Sequence, residues 1–398
     1  NPLDGLSSLL DKSLIKQEIG SFGEPRFRMM ETIREYALDQ LVIGAELDNL
    51  RQRHLGYFVT LAERAEAHAF GDEQIVWFDR LEVEFDNVRA ALVWSLGLER
   101  GLTLATALRW FFSERSHSAE GLDWLERMLT SNPDAPASLR AKAFHSAGAL
   151  AFLLENERRS RALCEQALLL ARSVNDRWNV AWSLSHLGNN TGNDLNQKMI
   201  FLDESLALFR ELDDAMGIAH TLIRLSWIAF DQQNYQYTRQ LSEEALSRAQ
   251  DAGDKLIAAW ATNDLGRVAW HEKHDYEQAK NFFESSASLF REVHSPFTRP
   301  LIFLAEIEQT RGYPRRAQRL YKQALSWQER LPEEGSLHYI IGGLAGVTLS
   351  LGQLEPAAQL LGVAHGIALT FQQDAFGMRN FKQDVTSVRD QLGEAAFA

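Results

Sequence analysis

The sequence predicts an all-α protein, a solenoid of tandem helical hairpins with a small β-hairpin-containing element in front of it. Three observations predict this. From residue 101 onward a pattern returns about every 40 residues. Apolar residues fall three and four apart through most of the chain. One stretch near the N-terminus has two short extended runs around a Gly/Pro turn.

Taken in order, "LDGLSSLLDKSLI" places leucines and an isoleucine at helical spacing. "KQEIGSFGEPRFRMM" follows as a two-stranded wing and "ETIREYALDQL" as a helix. Residues 1–43 therefore read as the C-terminal part of a winged-helix domain. Residues 44–100 read as a helical connector, because "LRQRHLGYFVTLAERAEAH" and "LEVEFDNVRAALVWSL" are both amphipathic at the helical period.

Residues 101–372 form the repeat array. Its register is set by Gly148, Gly188, Ser226, Gly266, Glu306 and Gly346, spaced 40, 38, 40, 40 and 40 apart, and all but Glu306 are small. About twenty residues after each anchor a second helix carries another small residue, as in "CEQALLL", "LDESLAL", "SEEALSR", "FESSASL" and "YKQALSW". Paired small residues let the two helices of a hairpin approach closely, and each hairpin then buries its apolar face against its neighbours. Asp176, Asp214 and Asp254 stand twelve residues before their anchors, in the turns between units, where an oxygen side chain caps the next helix. "GLTLATALRWFFSERSHSAEGLDWLERMLTSNP" reads as an atypical first repeat. Residues 373–398 read as a C-terminal capping helix.

Composition narrows the function classes. Of 398 residues, 45% are hydrophobic, and 41 Lys+Arg against 54 Asp+Glu give a net charge of −13. That balance repels phosphate backbones and anionic membranes, so no direct nucleic-acid or membrane contact is expected. Cys164 is the single cysteine, and no apolar run reaches a membrane-spanning length. A cytoplasmic setting is expected. The first residues lack an initiator Met and the layout of a signal peptide, so the chain is expected to be an excised piece of a longer one.

Catalytic chemistry finds little purchase. No "GK" dipeptide occurs, so the phosphate loop of an ATPase is absent from these residues. In "HEKHDYE", His271 and His274 are three apart where a zinc-protease helix needs four, so no metal site is expected. Cys164 sits in a helix-core pattern and reads as a small buried apolar group. Repeated acidic pairs such as "SEEAL" read as a solvated face. The leading helix carries only Lys12 against two aspartates, which favours packing over major-groove binding.

The repeat register yields a candidate binding face. Positions six and three before the anchor and one and four after it share one side of a 3.6-residue helix. They read Lys142, His145, Ala149, Phe152; Trp182, Ser185, Asn189, Gly192; His220, Ile223, Trp227, Phe230; Trp260, Asn263, Arg267, Trp270; Pro300, Phe303, Ile307, Thr310; and Ile340, Gly343, Val347, Ser350. The middle helices mix tryptophans with amide, imidazole and guanidinium groups, the makeup of a recognition surface. The candidate ligand-binding residues are therefore Trp182, Ser185, Asn189, His220, Trp227, Phe230, Trp260, Asn263, Arg267 and Trp270. The alternative is that these tryptophans pack between helices. In "SHLGNNTGNDLNQ", Asn189, Asn190, Gly192 and Asn193 also break the helix pattern, either at a functional site or where the helix ends one turn early.

The "G…A…L.E.AL.LAR…D" texture of the hairpins resembles tetratricopeptide repeats of a longer-helix type. With "LSSLLDKSLI", "PRFRMMETIREYALDQL", "LEVEFDNVRAALVWSL", "AEGLDWLERML" and "AAQLLGVAHGIAL", the chain resembles the C-terminal half of bacterial STAND-class signal-transduction ATPases, notably LuxR-like and AfsR-like regulators. The resemblance implies a sensor that takes an inducer (small molecule, peptide or protein) in its concave groove. That sensor controls an ATPase domain outside this chain, which would hold ATP and Mg; no cofactor is expected here. A constitutive protein-binding scaffold is the alternative, and an enzyme with a groove active site a third.

Overall fold

The computed structural model describes residues 2–20, 23–190, 194–273, 275–293, 295, 297–330, 337–370 and 381–392. The chain forms two compact units, Asn1–His186 and Leu187–Ala398.

The first unit opens with α1 (Pro2–Asp11), β1 (Ile15–Ile19), β2 (Pro25–Met29) and α2 (Glu31–Ile43). The strands pair antiparallel, Ile15 opposite Met29 and Ile19 opposite Pro25. The helix, wing, helix order matches the sequence reading. The first helix is shorter than expected: it stops at Asp11, Ser13 takes a left-handed φ of 54°, and Ile15 enters the strand. Then come α3 (Leu47–Ala67), α4 (Gln74–Val83), α5 (Phe85–Trp94), α6 (Glu99–Ala107), α7 (Arg109–Glu114), α8 (Ser118–Ser131), α9 (Ala137–Leu153), α10 (Glu157–Ser173) and α11 (Arg177–Asn189), whose last three residues belong to the second unit. The first helix of the atypical repeat is broken at Leu108 into α6 and α7. One core runs from Leu55 on α3 through Phe85, Phe112 and Trp124 to Leu163 on α10. Each such fully buried side chain contributes roughly 1.5–3 kcal/mol. The connector and the first repeats thus pack as one body, with no division near residue 100.

The second unit holds α12 (Leu195–Glu211), α13 (Ala215–Asp231), α14 (Tyr235–Ala252), α15 (Lys255–Lys273), α16 (Tyr276–Glu292), α17 (Arg299–Thr310), α18 (Pro314–Arg330), α19 (Leu337–Ser350), α20 (Leu354–Thr370) and α21 (Phe381–Leu392). Hairpins pair α13 with α14, α15 with α16, α17 with α18 and α19 with α20, and α21 packs on α19 and α20.

The anchors lie where helices cross. At Gly148 any Cβ would collide with Cys164 Sγ, while Ser160 Oγ donates to the Gly148 carbonyl at 2.6 Å. At Gly266 a Cβ would stand 2.7 Å from Phe283. The facing small residues Ala167, Ser205, Ala245 and Ala324 are fully buried. Gly346 departs from this use: its bare backbone lies against Asp384 of α21, with Oδ2 2.8 Å from where a Cβ would be.

The turns repeat too. Asp176, Asp214 and Asp254 accept hydrogen bonds from the N–H groups of Asn179, Gly217 and Ile257, at 3.1, 2.8 and 2.9 Å. Asn156, Asp194, Asn234 and Asp275 cap the second helices in the same way. Glu155, Asn175, Asp213, Gln233 and Gly253, each just before a capping residue, take left-handed φ and stop the preceding helix. α11 ends one residue past its anchor (189 − 188), whereas α9 and α13 run five past theirs (153 − 148 and 231 − 226). The asparagine-rich segment therefore ends a helix early. Gly192 and Asn193 lie outside the described residues.

Candidate functional site

The predicted stripe falls into two sets of unlike character. In the first unit Trp182 and Ser185 are fully buried, at 1% and 0% exposure. The Arg109 guanidinium lies 3.5 Å over the Trp110 ring and 5.7 Å over Trp182, with Nη2 3.4 Å from His186 Nε2. His145 lies nearly parallel to Trp182, 6.4 Å between centroids, and meets Trp178 edge-on at 5.9 Å. Burial, then the positive charges of Arg109 and Lys142, hold the His145 pKa well below the usual imidazole range, so the ring is neutral. Trp182 and Ser185 are therefore interior packing rather than a binding wall.

Two predicted residues of the second unit are also interior. His220 places Nε2 3.0 Å from Asp254 Oδ2, and Asp254 in turn caps α15, so this buried pair ties α13 to the start of α15. Trp270 is 3% exposed and packs on Phe283 and Phe303, 6.3 and 5.7 Å away, in the core between hairpins. Asn189 is half-buried at the end of α11.

Four predicted residues do come together. Trp227, Trp260, Asn263 and Arg267 line one groove of about 320 Å³, joined by Phe303 from the same stripe. Asp231, Phe297 and Arg299 complete it, and the stripe did not contain them. A signal for two of them existed: Asp231 lies one turn beyond Trp227, and Phe297 one turn before Pro300. The floor is aromatic. Trp227 meets Trp260 edge-on at 5.3 Å, and Phe297 lies 3.9 Å from Trp260.

Arg267 is held rigidly. Its Nη1 donates to Asp264 Oδ1 at 3.0 Å, and its guanidinium lies 3.5 Å over Phe230, another predicted residue, which supports the groove from beneath this charge. Asp264 is fully buried and also accepts from Ser226 Oγ at 2.8 Å. Burial pushes the Asp264 pKa above the ordinary carboxylate range, although Arg267 and Ser226 pull it down. The serine that replaces glycine at this anchor thus reaches into the next repeat to fix the carboxylate that orients Arg267. Asn263 is 3% exposed, yet its Oδ1 has no hydrogen-bond partner among the described residues, a buried acceptor suited to a ligand N–H. Arg299 stacks 4.5 Å over Tyr339.

A second cavity of about 500 Å³ between α17, α19 and α21 is lined by Gln309, Tyr339, Gly343, Gly346, Ser350 and Asp384, among others. Burial raises the Asp384 pKa to about 6. This cavity lacks the aromatic floor and fixed guanidinium of the groove. Among the described residues no group of three His, Cys, Asp or Glu could hold a metal ion, and no helix is long and apolar enough to cross a membrane. His271 is exposed beside Phe230 and Tyr235, Cys164 is buried against Gly148, and His274 lies outside the described residues.

No protein-family model matches the sequence. Among solved structures the chain is similar over its full length to a STAND protein with a tetratricopeptide repeat sensor from Pyrococcus horikoshii. The TM-score is 0.54 at 16% identity, over 61% of that chain. The fold is a tetratricopeptide-repeat sensor fold. A Rap conjugation gene regulator of plasmid pLS20, in complex with the Phr* peptide, is similar over 81% of this chain and 98% of its own, with a TM-score of 0.53 at 14% identity. By sequence, proteins named as HTH-type transcriptional regulators in Mycobacterium bovis and Mycobacterium tuberculosis are 29% identical over 267 residues. That match covers 64% of this chain and 30% of theirs, so it spans under a third of those relatives. The resemblance to STAND-class regulators read from the sequence agrees with these likenesses.

Proposed function

We propose that this chain is the sensor module of a signal-transduction regulator, taking a peptide in the groove of Trp227, Trp260, Asn263 and Arg267. Its occupancy would control an ATPase domain elsewhere in the parent protein, with transcription as the output. One observation carries the reading: a buried, unpartnered amide, Asn263, lines an aromatic groove beside a preorganised guanidinium. Aromatic faces supply apolar area, the amide accepts a backbone N–H, and the fixed arginine costs little further ordering on binding. The peptide in the similar Rap regulator and the transcriptional names of the mycobacterial relatives support the ligand class and the output.

For such a sensor to switch anything, the peptide must bind one arrangement of sensor and ATPase more tightly than the other. The test is a screen of short peptides by melting temperature and tryptophan fluorescence, repeated with Trp227→Ala. A peptide that raises the melting temperature of the wild type and leaves the variant unmoved supports the groove. If no peptide does so, the reading falls. In the full-length parent, ATP turnover that changes with bound peptide supports a sensor, whereas unchanged turnover favours the constitutive scaffold.

A further inference from the structure

The groove is charged at both ends, and the two ends do not neutralise each other. Arg299 is the first residue of α17 and Asp231 the last of α13, and both line the groove. Among the described residues neither takes part in an ion pair, and the closest charged-face contact of Arg299 is the Tyr339 ring. In the repeat register Arg299 stands seven positions before its anchor Glu306, and Asp231 stands five after its anchor Ser226. First helices all run in the same sense, so these twelve positions separate the two charges by about 18 Å along the helix direction. The helix dipoles reinforce them, since the positive N-terminal end of α17 carries the arginine and the negative C-terminal end of α13 carries the aspartate. Between them lie Trp227, Trp260 and Phe297.

We infer that the groove selects a short zwitterionic peptide of about five residues. Its free carboxylate lies at Arg299, its free ammonium at Asp231, and its apolar side chains lie on the tryptophans. This rests on the peptide-groove reading above and adds length, polarity and direction. An extended chain advances about 3.3–3.6 Å per residue, so roughly five residues match the span. A longer ligand would leave at least one pole facing a neutral backbone. A blocked terminus would leave Arg299 or Asp231 desolvated without a partner, which is the strongest form of discrimination available to such a site.

The test uses the full chain and a pool of pentapeptides with aliphatic or aromatic centres in four forms: free, N-acetylated, C-amidated and doubly blocked. Affinity is read by tryptophan fluorescence. The free form should bind best, with C-amidation weakening it about tenfold, as expected for loss of a charge-assisted pair. Arg299→Gln should abolish the difference between acid and amide while preserving sensitivity to acetylation, and Asp231→Asn should do the converse. Equal binding of all four forms to the wild type overturns the bipolar inference and leaves the groove reading standing. Exchange of the two variants' effects overturns the direction. Failure of every form to bind removes both readings.

Discussion

Two clusters of tryptophan, arginine and imidazole occupy equivalent repeat positions, yet one is sealed and the other open. In the first unit Arg109, His145, Trp178 and Trp182 stack on one another, and Trp182 is almost wholly buried. In the second, Trp227, Trp260 and Arg267 line a groove of about 320 Å³. The difference lies in what faces the same stripe. α6 and α7, the broken first helix of the atypical repeat, bring Arg109 and Trp110 onto Trp182. In the second unit Phe297 covers one edge of Trp260 and leaves Trp227, Asn263 and Arg267 around a space. Residue type at a repeat position is therefore not enough to separate core from site.

The comparison breaks most visibly on truncating an aromatic. Trp182→Ala should destabilise the first unit by about 3–5 kcal/mol, the cost of emptying a fully buried indole site, with peptide affinity unchanged. Trp260→Ala, half-buried, should cost less stability and lose the peptide. Denaturant melts beside peptide titrations separate the two, and equal stability losses would remove the distinction.

Next in size is the arginine pair. Arg267→Ala leaves Asp264 buried without its cation and should cost about 3 kcal/mol. Adding Asp264→Asn should return most of that, because a neutral amide needs no counter-charge. A double-mutant cycle measures the coupling, and additive losses would show that Asp264 does not depend on Arg267.

The two clusters should also answer pH with opposite signs. The folded pKa of His145 lies below its unfolded value near 6.5, so its contribution to stability is present above that value and is lost as pH falls, at up to about 1.4 kcal/mol per pH unit. The folded pKa of Asp264 lies above its unfolded value near 3.8, so its contribution is present in acid and is lost as pH rises through the raised pKa. Hydrogen exchange of α9 and α15 peptides between pH 4 and 7 reads each sign separately, and His145→Gln should flatten the α9 response alone. The smallest effect is a control common to both regions. Asn156→Ala and Asn234→Ala each remove one cap and should each cost about 1 kcal/mol in thermal melts, regardless of the cluster nearby.

Much of this was legible in the chain alone. The 40-residue register, the close crossings at Gly148 and Gly266, and the caps at Asp176, Asp214 and Asp254 follow from local rules: helix period, side-chain size, and the backbone N–H groups every helix start leaves unpaired. The same register placed Trp227, Trp260, Asn263 and Arg267 on one face. Only tertiary structure decided that Trp182, Ser185, His220 and Trp270 are covered while those four are not, since burial depends on which neighbouring helix arrives and a stripe describes one helix at a time. It also brought in Arg299, Phe297 and Asp231, from the beginning of α17, the segment before it and the end of α13. The fold was set by contacts close in sequence, which a period records; the groove was set by contacts between repeats, which it does not.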